Sequence, residues 1–210
     1  MGVLRTLLLL AAVLSACTAS TDAPAGSTGS FVPTPAAAVS FALPDGGGAR
    51  AWGNGPYGVV LVGGAWDEVA QELARHGMRA VVPDAHDAAA LRAAIVALHD
   101  AGVERVAVMA VDDGVRAAFE VGTDEPELVD QLITVSARGN VSPLGVFPKL
   151  FVASEGERAG NAATEMAVNA RGEWNLGLLV PGEASGLAIL DGPGADELLD
   201  GILRRLEERR

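Results

Sequence analysis

Six carboxylates stand at or just beyond the ends of short apolar runs in this chain: Asp67, Asp84, Asp87, Asp112, Asp113 and Glu157. Gathered at one edge of a sheet they would attract cations, and oxygen ligands in that number suit a hard ion such as Ca²⁺ or Mg²⁺. Their spacing follows no calcium-loop pattern, so no metal and no other cofactor is assigned, and acidic solubilising loops are the plainer account. Proton transfer near neutral pH calls for histidine, and the chain has three, His76, His86 and His99. His76 closes the helical stretch 67–76 and His99 lies near the end of 87–100, positions where helix C-termini favour a cation. Both therefore belong to the end of the sheet away from a site. His86 follows the apolar run Arg79–Pro83, which places it on the functional side as the one histidine within reach of a reacting group.

The elements that must position these residues alternate in type. Val39 to Leu43 reads as a strand, Asp45-Gly46-Gly47-Gly48 as a turn and Ala49 to Gly53 as an antiparallel partner. Further strands are expected at 58–62, 79–83, 105–110, 128–136, 149–153 and 176–180, and their continuous apolar character suits a sheet covered on both faces. Helices are expected over 67–76, 87–100, 113–121 and 194–210, the first three ending at or before Gly77, Gly102 and Gly122. The alternation predicts an α/β fold with a mostly parallel twisted sheet, an antiparallel N-terminal strand pair and helices on both faces. Trp52, Trp66 and Trp174 read as core residues, with Trp66 the best placed of them to wall a pocket.

Four phrases carry a resemblance to a known family: Val59-Val60-Leu61-Val62-Gly63-Gly64-Ala65, Val106 through Gly114, Pro148 through Glu157, and Val180-Pro181-Gly182-Glu183-Ala184-Ser185-Gly186. In this order they resemble the oxyanion loop, nucleophile elbow, acid loop and histidine loop of the α/β-hydrolase superfamily, over about Val39 to Glu208. Alternation alone would also admit another doubly wound fold, such as a flavodoxin-like one. The resemblance implies a nucleophile position at Asp112, framed by the small residues Ala110 and Gly114, an acid at Glu157 and a histidine position at Ser185. Gly64 and the backbone N–H of Asp113 would form the oxyanion site. Relatives with an aspartate nucleophile exist, including haloalkane dehalogenases and epoxide hydrolases, but they need a histidine to activate water. Serine at 185 cannot serve as that base. The carboxylate of Asp113 also sets negative charge where an oxyanion would develop. Asp112, Glu157 and Ser185 therefore read as a degenerate triad, with His86 the one candidate base.

The N-terminus carries its own signal. Arg5, the apolar stretch Leu7 to Leu14 and the small pair Ser15-Ala16 have the layout of a secretory signal, and eight apolar residues are too few for a membrane span of about 20. Leu14-Ser15-Ala16-Cys17 is similar to the lipobox of bacterial lipoproteins, which implies acylation of Cys17, with palmitate among the expected acyl chains, and anchoring at the extracytoplasmic face of the cell membrane. The expected boundaries are 1–16 for the signal peptide, 17–38 for the lipidated cysteine and a Ser-, Thr-, Ala-, Gly- and Pro-rich tether, and 39–210 for the folded domain.

With 27 acidic and 15 basic residues the net charge is −12, and loss of Arg5 with the signal makes it −13. Such a surface repels nucleic acid and anionic lipid headgroups, so the expected membrane contact is the anchor at Cys17 and no nucleic-acid partner is expected. These features together predict a lipid-anchored, catalytically degenerate hydrolase-fold protein that binds or scaffolds a small-molecule or protein ligand the sequence does not identify. The alternative is an active hydrolase with Asp112 as nucleophile, acting on a small ester, halide or epoxide.

Overall fold

The computed structural model describes residues 37–208 with the exception of residue 159. The chain divides into the units Met1–Val32 and Pro33–Arg210, and the described residues all fall in the second. The expected signal peptide, Cys17 and most of the tether lie outside the described residues.

The second unit is built on an eight-stranded sheet: β1 (Val39–Ala42), β2 (Gly48–Trp52), β3 (Tyr57–Val62), β4 (Arg79–Pro83), β5 (Arg105–Val111), β6 (Gln131–Val135), β7 (Lys149–Ser154) and β8 (Leu176–Val180). Their order across the sheet is β1-β2-β4-β3-β5-β6-β7-β8. β2 runs antiparallel to both β1 and β4, and every later pairing is parallel. Five helices accompany it: α1 (Asp67–Arg75), α2 (Ala88–Asp100), α3 (Gly114–Asp124), α4 (Gly160–Asn169) and α5 (Ala195–Glu207). This is the mostly parallel α/β arrangement that the alternation of runs predicts.

Strand side chains alternate between the two faces, and the sequence supplies apolar residues to both. In β5, Val106, Val108 and Ala110 join the core beneath α2, α3 and α4, while Ala107, Met109 and Val111 join the core beneath α1 and α5. β3 divides the same way, with Val60 and Val62 on one side and Val59 and Leu61 on the other. Local signals fix the helix ends. The Asp87 side chain accepts from the Ala90 N–H at 2.9 Å and starts α2. α5 has Asp196 and Glu197 in its first turn and Arg204 and Arg205 in its last, the polarity that the helix dipole favours. None of the described helices is long and apolar enough to cross a membrane.

The main differences from expectation are two boundaries and two further elements. β6 begins at Gln131, because Pro126–Leu128 forms a 3-10 turn before it. α3 runs through Gly122 to Asp124, since Gly122 is there for close packing: a Cβ on it would lie 3.0 Å from Phe147 Cζ. α4 has only three buried residues, Gly160, Ala163 and Met166, too narrow a stripe to read from periodicity. A further 3-10 turn, Gly186–Asp191, follows β8.

Lys149 opens β7 fully buried. Its ammonium donates to the carbonyls of Gly145 at 2.7 Å, Phe147 at 2.6 Å and Arg171 at 2.8 Å, so each proton has a partner. Burial, with a smaller contribution from the Arg171 charge, lowers its pKa to about 8. The cluster ties the segments before and after α4 to the amino end of the sheet, away from the carboxyl ends where the site forms.

Candidate functional site

The turn from β5 to α3 has a backbone that few residues adopt. Asp112 has φ +49°, the left-handed region, and follows two fully buried strand residues, Ala110 and Val111. This is the sharp strand-to-helix turn expected of a nucleophile elbow. It depends on close backbone approach. A Cβ on Gly114 would lie 2.3 Å from the Val62 carbonyl oxygen, and one on Gly63 would lie 2.0 Å from that of Val111. The end of β3 therefore abuts the elbow directly, and only glycine fits at both contacts.

Asp112 is exposed at the tip of this turn and lines two cavities of about 410 Å³ each. One is shared with His86, Asp87, Asp113 and Arg116, the other with Val115, Arg116, Phe119, Ser136, Ala137 and Arg138. His86 thus shares a cleft with Asp112, but its Nδ1 lies 3.2 Å from Asp113 Oδ2. The neighbouring carboxylate holds the ring.

From the far side the 3-10 turn after β8 closes over the elbow. Gly186, at φ +60°, stands so close that a Cβ on it would lie 3.1 Å from Asp112 Oδ1. Leu187 covers Gly64 in the same way, with its Cδ1 2.8 Å from where a Cβ on Gly64 would be. Ser185, the expected histidine position, is exposed one residue earlier, and the buried residue against Asp112 is Gly186. The carboxylate therefore faces a residue with no side chain.

Glu157, at the acid position with no histidine to orient, is bonded to a serine. Ser136, at the carboxyl end of β6 and itself at φ +54°, donates its hydroxyl proton to Glu157 Oε2 at 2.8 Å and accepts from the Gly186 N–H at 2.7 Å. One hydroxyl thus links the acid loop to the turn over Asp112. Burial raises the Glu157 pKa above its ordinary value, against the opposing pull of the Ser136 hydrogen bond and the Arg138 charge. The Oε1 atom is buried with no hydrogen-bond partner among the described residues.

Of the other acids, Asp87 and Asp113 share a cleft with Asp112, whereas Asp67 and Asp84 do not line it. Asp67 pairs with Arg50, Asp87 caps α2 and Asp113 holds His86. A Cβ on Gly48 would lie 2.4 Å from the Asp84 carboxylate, which places Asp84 beside β2. Among the described residues no group of three His, Cys, Asp or Glu side chains is arranged to hold a metal. His76 and His99 sit at the C-terminal ends of α1 and α2, where His76 Nδ1 lies 3.2 Å from Glu207 and His99 Nδ1 lies 2.8 Å from the Val103 carbonyl. Trp66 is buried, with its indole N–H donating to the Val62 carbonyl at 3.3 Å, so it is core and not a pocket wall. Trp174 is 64% exposed, against the expectation of a core residue. Sequence reasoning missed Ser136 and Gly186; the only local signal for Ser136 is a lone hydroxyl closing an apolar strand.

Comparison with solved structures bears on the fold. The esterase Pf2001 from Pyrococcus furiosus superposes with a TM-score of 0.63 at 13% identity, over 83% of this chain and 92% of that one. A predicted CIB-like hydrolase from Thermoplasma acidophilum gives 0.61 at 16% identity, over 82% and 99%. The epoxide hydrolase VrEH1 from Vigna radiata gives 0.59 at 13% identity, over 83% and 98%. Identities this low establish the fold alone, and the fold is that of the α/β hydrolases. No protein-family model matches the sequence, and no curated protein matches it.

Proposed function

We propose that this chain is a lipid-anchored extracytoplasmic protein that uses an α/β-hydrolase fold to bind and not to hydrolyse. One observation carries the reading: the residue packed against the Asp112 carboxylate is Gly186, which has no side chain to activate water. A positioned general base contributes typically 10²–10⁴-fold, and an ester formed on Asp112 would persist without one. Leu187 over Gly64 adds to this, because it fills space that a substrate oxygen would enter beside the oxyanion loop. The anchor rests on Leu14-Ser15-Ala16-Cys17, and the charge of −12 leaves Cys17 as the membrane contact.

The second reading, turnover with Asp112 as nucleophile and His86 as base, draws on the one cavity they share. Esterase and epoxide hydrolase neighbours make small esters and epoxides the substrates to try, with haloalkanes as the third class. The purified full-length chain should turn over none of them above buffer. Turnover that both Asp112→Asn and His86→Gln abolish would establish the second reading instead. For the anchor, cells fed an alkynyl palmitate analogue should label the wild type. Cys17→Ser should lose both the label and membrane association, and a labelled, membrane-bound Cys17→Ser would refute it.

A further inference from the structure

A further cavity lies beside the elbow and not on it. It has a volume of about 620 Å³ and lies between the loop after β6 and the length of α4, from Ala162 to Asn169. Two guanidiniums line it, Arg138 from the β6 side and Arg158 from the β7 side. Arg50, Arg75, Arg92, Arg105 and Arg205 all have carboxylate partners, whereas Arg138 and Arg158 form no ion pair among the described residues. In a chain of net charge −12, two arginines that line one concave space without an ion pair are a local reversal of sign, although the Arg138 charge also acts on Glu157.

The polar groups around them are partly committed. Asn140 Oδ1 accepts from the Ser142 N–H at 3.1 Å and from its hydroxyl at 2.6 Å, which leaves the Asn140 amide N–H₂ as a donor. Asn169 donates to the Glu165 carbonyl at 2.8 Å, which leaves its Oδ1 as an acceptor. The lining thus offers a fork of charged donors, a neutral donor, a neutral acceptor and the Glu165 carboxylate. Glu165 opposes an anion, but two guanidiniums outnumber it, and as an acceptor it suits a hydroxyl.

We infer that this cavity binds a small hydroxylated carboxylic acid, a sugar acid by class, with its carboxylate between Arg138 and Arg158 and its hydroxyls on Asn140, Asn169 and Glu165. Guanidinium forks match a planar carboxylate in two-point contact, and a volume of this size is within the range of small-molecule sites. The inference rests on the reading of this end of the sheet as a binding surface. It names a ligand class for that surface, and it assigns specificity to the arginines and not to Asp112.

The test is calorimetric titration of the full-length chain in detergent with D-glucuronate, D-glucose and inorganic phosphate. Glucuronate should bind saturably and more weakly as salt is raised, and glucose should not bind. Arg138→Gln and Arg158→Gln should each raise Kd about tenfold, the worth of one charge-assisted contact, and Arg75→Gln on α1 should change nothing. Ala162→Trp keeps both charges but fills the cavity, and it should abolish binding; unchanged melting temperatures would confirm that these variants fold. Glucuronate binding that survives the double Arg138→Gln/Arg158→Gln change, equal binding of glucose, or tighter binding of phosphate would each overturn the assignment. Ester turnover is read separately: turnover with arginine-dependent glucuronate binding would end the non-catalytic reading alone, and neither turnover nor binding would end this inference alone.

Discussion

Ser136 gives its hydroxyl proton to Glu157 Oε2 at 2.8 Å, so the carboxylate at the acid position, with no histidine to orient, holds a serine at the end of the neighbouring strand. The Ser136 hydroxyl oxygen in turn accepts from the Gly186 N–H, which makes Ser136 the link that sets the turn above Asp112. Ser136→Ala should lower stability by about 1–2 kcal/mol, since it leaves a part-buried N–H and a part-buried carboxylate each short of a partner. Urea denaturation near pH 5 measures it, and a change below the error of the fit would mean that the link carries no load.

A pH dependence follows from Glu157. Its folded pKa is raised above the ordinary value of 4.5, chiefly by burial, so the protonated carboxyl is favoured by folding. That contribution is fully present below the unfolded pKa and is lost as pH rises through the folded one. Wild type should therefore lose stability relative to Glu157→Gln as pH rises above about 4.5, the ordinary value. Ser136→Ala removes a bond that holds the pKa down, and it should shift the loss to higher pH. Parallel curves for wild type and Glu157→Gln would refute this.

Asp112 sits at φ +49°, where an L-residue costs about 1 kcal/mol relative to glycine. Asp112→Gly should stabilise the fold by about that amount, and a β-branched Asp112→Val should destabilise it. Gly114→Ala should cost about 1–3 kcal/mol or more, because its Cβ would meet the Val62 carbonyl at 2.3 Å. Thermal melts order the three variants. A stable Gly114→Ala would show that β3 and the elbow can separate.

Asp112→Ser places a hydroxyl at the elbow tip but supplies no base. A fluorophosphonate probe should leave this variant as unlabelled as the wild type, since nucleophile and base act as a unit. Labelling at residue 112 would show that His86 leaves Asp113 and reaches the elbow.

Lys149→Met should cost about 3 kcal/mol, because three carbonyls lose their donor inside the fold. Equilibrium denaturation checks it, and a loss under about 1 kcal/mol would mean that these carbonyls find other donors.

The parallel core was legible because β3, β5 and β7 are apolar on both faces and glycines punctuate the helices between them. The sharp turn at Asp112 was legible for a similar reason, as Ala110 and Gly114 mark local sterics. Ser136 was not, because its partners lie 21 and 50 positions away and only the packed sheet brings them together. Gly186 was hidden by its neighbour: in sequence Ser185 is the chemical residue of the loop, and only a backbone at φ +60° sets the glycine against Asp112. Lys149 reads as an ordinary polar start to a strand, since carbonyl acceptors leave no trace in residue type.

β1 is one of the two edge strands, and it pairs with β2 alone, from Val39 opposite Ala51 to Ala42 opposite Gly48. Val39 stands at the open end of that hairpin. A load drawn through the chain ahead of Val39 would peel β1 from β2 one rung at a time, a geometry with little mechanical resistance. Under tension this strand yields first, and the cleft around Asp112, several strands away, would keep its shape while the edge gives.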